Sequence, residues 1–308
     1  MSEQQLQFTV QNPGERLDKV IVAQVGDSLS RAQIQTLIKD GQVTVNGAQV
    51  KSGVKLKGGE QISVTIPTRD GAETVKPEAI PLTVLFEDKD IAVIDKPAGM
   101  TIHPGVGNET GTLVSAMLSR WPEIAKMNTN EKRAGIVHRL DKDTSGLVVI
   151  AKNDVSRRRL MAQFQARTVE KTYIALLEKM PPTQVGRIEA PIARDPNQRK
   201  RMAVVRGGKP AITEYKVAES GFSGDQALIR VNLMTGRTHQ IRVHMAFIGT
   251  PIVGDVVYGF RKQRVKLKRH FLHAAELSFD HPRTGERLHF ESPLPSGLAN
   301  VLEKLRTH

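Results

Sequence analysis

Apolar positions recur at helical spacing twice near the start of the chain, at Leu17, Val20 and Ile21 and again at Ile34 and Leu37. The first pattern predicts a helix over 16–24 and the second a helix over 30–38, with Ser30 as its N-cap and Gly41 at its end. The period then switches to two. VTVNGAQV alternates around Asn46-Gly47, a two-residue hairpin turn, and QISVTIP supplies a closing strand. Residues 12–66 therefore read as one compact unit. Residues 67–80 carry Gly, Pro and charge without a period and read as a linker. Across 81–308 strands dominate: TVLFED, DIAVIDK, GLVVIAK, KTYIALLE, AITEYKV, ALIRVNLMT, AELSFD and RLHFESP. Helical patterns interrupt them at 111–120, 154–167, 238–248 and 295–305. Because the strands come in runs, not in alternation with helices, the class predicted is α+β. It consists of a mixed, largely antiparallel sheet behind a small N-terminal domain.

Charge changes this picture more than composition does. Lys and Arg number 45 against 32 Asp and Glu, a net of +13, and such a surface attracts polyanions, nucleic acid first among them. The excess is uneven: residues 1–70 hold 8 basic and 7 acidic side chains, so nearly all of it lies beyond residue 70. Three runs stand out, Arg157-Arg158-Arg159, RKRMAVVRGGK at 199–209 and RKQRVKLKR at 261–269. One such run is commonly a solvated face; three in one domain favour a surface that follows phosphates. The absence of cysteine excludes disulfides, thiolate metal sites and cysteine nucleophiles. The N-terminus lacks a basic region followed by an apolar run, and no apolar stretch is long enough to span a bilayer. These features lead to the expectation of a cytoplasmic protein with no membrane partner.

The segment HRLDKDTSGL, 138–147, is the most informative for chemistry. Its Asp141-Lys142-Asp143 opening suggests a calcium loop, but Lys152 stands where the bidentate Glu is required. GVGNETG at 105–111 spaces its glycines wrongly for a dinucleotide site. His239 and His244 lie five apart without the Glu of a helical zinc site, and His270 and His273 have no evident third ligand. No metal or cofactor is therefore expected. Asp141, beside Arg139 and Lys142 and ahead of an apolar strand, could act as a nucleophile or stabilise a cationic sugar. It could equally be an ion-paired turn, which is the reading favoured by spacing alone. In MTGRTHQIRVHM, 234–245, a helix would put Thr238 and Arg242 on one face and let Arg242 pair with a carboxylate elsewhere. The alternative is an amphipathic helix whose basic residues face solvent.

HRLDKDTSGL, GRTHQIRVHM and KTYIAL together closely resemble the RluA family of pseudouridine synthases, over roughly 12–66 and 80–297. RLDKVI, SRAQIQTLIKDGQVTVNG and GEQISV resemble the α-L RNA-binding domain named after ribosomal small-subunit protein four. The resemblance implies the pseudouridine synthase fold and a cofactor-independent isomerisation of uridine. It implies catalytic roles for Asp141, Tyr173 and Arg242. It implies substrate binding by Arg139, His138, Arg237, His239 and Lys96; Lys96, Pro97 and His103 fall in the matching KPAGM and HPG segments. The expected partner is large-subunit ribosomal RNA or its precursor particle, with the helix-69 stem-loop as first candidate, met by a monomer. Two rival readings are a non-catalytic RNA-binding or assembly factor and a nucleoside glycosidase. The glycosidase would need Asp143 as its second carboxylate.

Overall fold

Buried apolar side chains fall into one core within residues 3–67 and, within 75–307, a large core with a small separate cluster of Ile192, Ala211, Val243 and Tyr258. The computed structural model describes residues 3–25, 31–67, 75–105, 107–127, 133–198, 201–222 and 225–307. Ser30, half of the expected linker (68–74) and the start of the 199–209 basic run lie outside the described residues.

In the first unit the strands β1 (Glu3–Thr9), β2 (Val43–Val45), β3 (Ala48–Gln49) and β4 (Gln61–Pro67) form an antiparallel sheet in the order β1-β4-β2-β3. Helices α1 (Leu17–Val25) and α2 (Arg31–Lys39) bring Leu17, Ile21, Ile34 and Ile38 against Val43, Ile62 and Val64. Asn46 and Gly47 both take positive φ, 51° and 80°, the conformation that a two-residue hairpin turn demands. Strand β1 extends the expected unit toward the N-terminus. It lies in a glutamine-rich run in which Leu6 and Phe8 alternate with polar residues, and its pairing with β4 holds it in place.

The second unit begins inside the expected linker. Val75 is buried in the larger core, Glu78 N–H donates to the Ser115 carbonyl, and its carboxylate accepts from Gly111 N–H at 2.9 Å. Its strands are β5 (Thr83–Glu87), β6 (Ile91–Lys96), β7 (Ser145–Ala151), β8 (Glu170–Leu177), β9 (Val185–Glu189), β10 (Ile192–Arg194), β11 (Met202–Val204), β12 (Ile212–Ser220), β13 (Ala227–Leu233), β14 (Leu272–Asp280) and β15 (Arg287–Glu291). Its helices are α3 (Leu113–Arg120), α4 (Asp154–Ala166), α5 (Gln240–Phe247) and α6 (Ser296–Arg306). Nine strands form one sheet, β5-β6-β7-β14-β8-β13-β12-β9, with β15 paired to β14. Its neighbours run antiparallel except β7 beside β14. The α+β class with a largely antiparallel sheet is therefore borne out. Strand β7 is buried at every position, because a central strand covered on both faces has no polar side. The edge strands β5 and β15 alternate instead.

One glycine fixes the junction that matters for the site. Gly146 has φ +113°, and a Cβ there would lie 2.2 Å from the Ala274 carbonyl oxygen. Only glycine lets β7 approach β14 so closely, directly after the loop that carries Asp141.

Candidate active site

The loop from 138 to 144 is held from several sides. Thr144 N–H closes a turn onto the Asp141 carbonyl at 3.1 Å, and Gly99 N–H donates to the Lys142 carbonyl at 2.9 Å. Arg269 donates to the Asp143 carbonyl at 3.0 Å and to Ser145 Oγ at 3.1 Å. His270 Nε2 lies 2.8 Å from Thr144 Oγ1. Lys96 has no solvent exposure, and its Nζ donates to the carbonyls of Pro97, Met100 and Lys142 at 2.8, 2.9 and 3.1 Å. Burial pulls this amine down to about 8, while Asp143 and Asp141 pull the other way. The expectation that Lys96 binds substrate is corrected here: its three donors are all spent on backbone. It pins the segment after β6 to the loop of Asp141.

Asp141 meets Arg242 across 101 residues of sequence, with Arg242 Nη1 donating to Oδ2 at 3.1 Å. The same guanidinium grips Asp255 with two bonds, Nε to Oδ2 at 2.7 Å and Nη2 to Oδ1 at 3.0 Å. Asp255 is fully buried and also accepts the amides of Val257 and Tyr258 at 2.9 and 3.0 Å. Burial alone would raise its carboxyl; the Arg242 guanidinium and these amides outweigh that and hold it below its ordinary value.

Helix α5 starts at Gln240, so Thr238 lies outside it and shares no helical face with Arg242. The helix is not solvated either: Arg242 and His244 are buried. The turn before it is built by Gln240, whose Oε1 accepts from Thr235 Oγ1 at 2.8 Å and Arg237 N–H at 3.0 Å. Its Nε2 donates to the Ile212 carbonyl at 2.9 Å. His239 takes φ 56° at the helix cap. Its Nδ1 lies 2.8 Å from Tyr258 Oη, and its Nε2 lies 4.0 Å from Asp141 Oδ1. Tyr258 Oη also accepts Met202 N–H at 2.9 Å. With the phenol proton given to Nδ1, the ring's own hydrogen sits on Nε2, on the Asp141 side. Burial lowers the His239 imidazole against the pull of Asp141, which keeps it neutral.

These groups border a cavity of about 540 Å³ whose lining includes Asp141, Tyr173, His138, Arg139, Arg237 and His239. Tyr173 stands on β8 between Ala274 of β14 and Val231 of β13. Burial and the charge of Asp141 push its phenol well above the ordinary value, so it stays protonated. His138 stacks on Phe164, with centroids 4.9 Å apart, and accepts Val149 N–H on Nε2 at 3.0 Å. Burial and Lys171 lower it to about 3. Arg139 is exposed at the rim; Arg237 is half-buried, with Nε donating to the Pro210 carbonyl at 3.0 Å. Of the eight residues to which the resemblance gives catalytic or substrate-binding roles, all but Lys96 line this cavity.

Asp255, Tyr258 and Lys171 escaped sequence reasoning. GDVVYG had a weak signal, since an Asp followed by amides two and three residues on makes a self-capping turn. Lys171 had another, two positions from Tyr173 on one strand face. Outside the cavity, Asp88, Asp90 and His281 form the one metal-type cluster among the described residues. Its oxygens are taken by protein donors, His281 on Asp88 at 2.8 Å and Arg283 on Asp90 at 2.5 and 2.6 Å. Among the described residues no helix is long and apolar enough to cross a membrane.

Comparison with known proteins gives a consistent result. A family model described as RNA pseudouridylate synthase matches residues 90–247, and an S4 domain model matches 15–62. An uncharacterized RNA pseudouridine synthase of Chloroflexus aurantiacus is 50% identical over 292 residues, covering 95% of this chain and 90% of that one. The ribosomal large subunit pseudouridine synthase D of Nitrosomonas europaea is 43% identical, covering 99% and 89%. Among solved structures, human RNA pseudouridylate synthase domain containing 4 superposes with a TM-score of 0.57 at 25% identity, over 73% of this chain and 93% of that one.

Proposed function

This chain belongs to the RNA pseudouridylate synthase family, and from that premise we propose that it converts uridines of large-subunit ribosomal RNA to pseudouridine with Asp141 as the acting carboxylate. The helix-69 stem-loop is the first candidate substrate, and the enzyme works as a monomer in the cytoplasm. The reaction is an isomerisation. The N1–C1′ bond breaks, the base turns, and C5 joins C1′ while a proton leaves C5 and another reaches N1.

The observation that carries this reading is a carboxylate bordering a cavity with room for an extruded nucleotide, with Arg242 on one oxygen and His239 beside the other. Positive charge builds on the ribose as the base departs, and a fixed carboxylate either stabilises that charge or bonds to C1′. Arg242, itself anchored by Asp255, sets the direction in which Asp141 points. A phenol held protonated is a poor base, so Tyr173 serves as a flat face against the uracil ring and as a donor. A uridine in a stem-loop reaches such a cavity only when extruded, and Arg139 at the rim is placed to fill the gap it leaves. The relatives named for the large ribosomal subunit and the S4 match favour ribosomal RNA over other RNAs. Three basic runs add phosphate contacts, which makes binding salt-sensitive.

The test is release of tritium from ribosomal RNA labelled at uridine C5, taken from cells that lack the gene. Wild type is expected to release it and Asp141→Asn is not. Turnover by Asp141→Asn would remove that residue from the chemistry, and no release by wild type would remove ribosomal RNA as substrate.

A further inference from the structure

The cavity has a second polar wall that the chemistry above does not use. Lys171 stands on β8 two residues before Tyr173, so both side chains leave the sheet on one face and both line the cavity. Its ammonium lies 5.5 Å from the centroid of the Phe164 ring on α4. Among the described residues it has no carboxylate partner. Beside it stands His138, stacked on that same ring. Because His138 Nε2 accepts the Val149 amide, the hydrogen of its neutral ring sits on Nδ1. Lys171 and His138 therefore present N–H donors and no acceptor. Lys171 is half-buried, and a cation partly withdrawn from water with only an aromatic ring against it gains when a ligand offers oxygen to it. Asp141 is the one carboxylate in the lining and already has Arg242 on one oxygen, so Lys171 adds a cation that it does not pair.

We propose that Lys171, with His138 Nδ1–H beside it, reads O4 of the target uracil and takes up the negative charge that the ring acquires as it leaves the sugar. The inference rests on the reading of this cavity as the uridine site. Cytosine carries an amino group where uracil carries O4 and would set donor against donor. When N1–C1′ breaks, its electron pair stays with the base, which leaves as a monoanion spread over N1, O2 and O4. The ring then turns, C5 supplies the pair for the new bond to C1′, the C5 hydrogen departs as a proton, and N1 takes one up. Lys171 begins and ends as an ammonium.

Burial lowers the Lys171 amine to about 8, so its charge is complete below that pH and lost above it. The titratable and charged groups that share its cavity are His138, Asp141, Arg157 on α4, Tyr173, Arg237 and His239. His103, Arg133, Arg139 and Arg242 complete the set. Among these lining groups His138 and His239 are lowered and Tyr173 raised; Lys96, also lowered to about 8, lies outside the lining and is the same in wild type and Lys171→Arg, so a shift of the alkaline fall between the two reports Lys171.

The experiment compares wild type, Lys171→Ala and Lys171→Arg on ribosomal RNA from cells lacking the gene, with uridine or 4-thiouridine at the modified position. Lys171→Ala is expected to lower kcat about a hundredfold, with KM changed less than about threefold. Wild-type kcat/KM should fall above pH 8, and Lys171→Arg should restore much of the rate and move that fall upward by more than about one unit, since guanidinium stays charged. Thio-substitution at C4 should slow wild type about tenfold and Lys171→Ala far less, because the weakened acceptor no longer faces a donor. A Lys171→Ala kcat within about threefold of wild type, an equal thio effect in both, or an unmoved alkaline fall in Lys171→Arg would each overturn the proposal. If Lys171→Ala melts early, the Lys171→Arg profile and the wild-type thio effect decide. Inactive wild type would overturn the uridine reading and this inference with it; inactivity of Lys171→Ala alone bears on Lys171 only.

Discussion

Asp255 and Asp90 are both buried, and each is gripped through two nitrogens of an arginine, yet only one of these pairs reaches the cavity. Arg242 holds Asp255 at 2.7 and 3.0 Å, and Arg283 holds Asp90 at 2.5 and 2.6 Å. Asp90 Oδ1 also accepts Asn153 Nδ2 at 2.9 Å and Ser156 Oγ at 3.2 Å, and the Arg283 side chain is 52% exposed. That pair joins the start of β6, the cap of α4 and the β14–β15 turn, and its unused edge faces water. Arg242 is only 6% exposed, and its remaining Nη1 points at a third group, Asp141. A bidentate pair becomes part of a reactive site when the arginine keeps a donor that faces a cavity. Where the carboxylate is saturated and the arginine ends in solvent, the same chemistry is scaffold.

The largest break in this comparison is Arg242→Ala. It frees Asp141 to turn and leaves Asp255 charged and buried. A kcat loss of about a thousandfold is expected, with a stability loss of about 3–5 kcal/mol from the uncompensated carboxylate. RNA affinity, measured by filter binding, should be largely kept. A parallel collapse of binding would mean that Arg242 contacts RNA and does not aim Asp141.

Asp255→Asn is milder. The amide keeps the shape and loses the charge that fixes the guanidinium, so kcat should drop about ten- to a hundredfold, the range for partners that orient an active ligand. Single-turnover kinetics at saturating RNA measure it, and an unchanged rate would show that Arg242 needs no anchor. The smallest catalytic effect is expected at Asp90→Asn, with kcat within about twofold of wild type and a lower urea midpoint at pH 7. Arg283 holds the Asp90 carboxyl well below its ordinary value, against the effect of burial. The stabilisation is therefore present above about pH 4 and is lost as pH falls toward the depressed value. The gap in urea midpoint between wild type and Asp90→Asn should narrow from pH 4 downward. A constant gap would mean that the Asp90–Arg283 pair is not its source.

By itself the sequence determined the two-part layout, eight of the eleven described strands of the larger unit, its four helices and the segments that meet at the cavity. Strand and helix periods are local, and HRLDKDTSGL, KTYIAL and HQIR are contiguous, so both kinds of signal survive without coordinates. Strands β10 and β11 escaped because three residues are too few to show a period, and β9 because its two apolar residues, Val185 and Ile188, are three apart. Tertiary structure alone decided which charges are spent and which are available. Lys96 and Lys171 look alike in sequence, yet three backbone carbonyls surround the first and a cavity opens before the second. Asp255 could be joined to Asp141 only through Arg242, because the partners of a buried charge are set by strands that pack from distant parts of the chain.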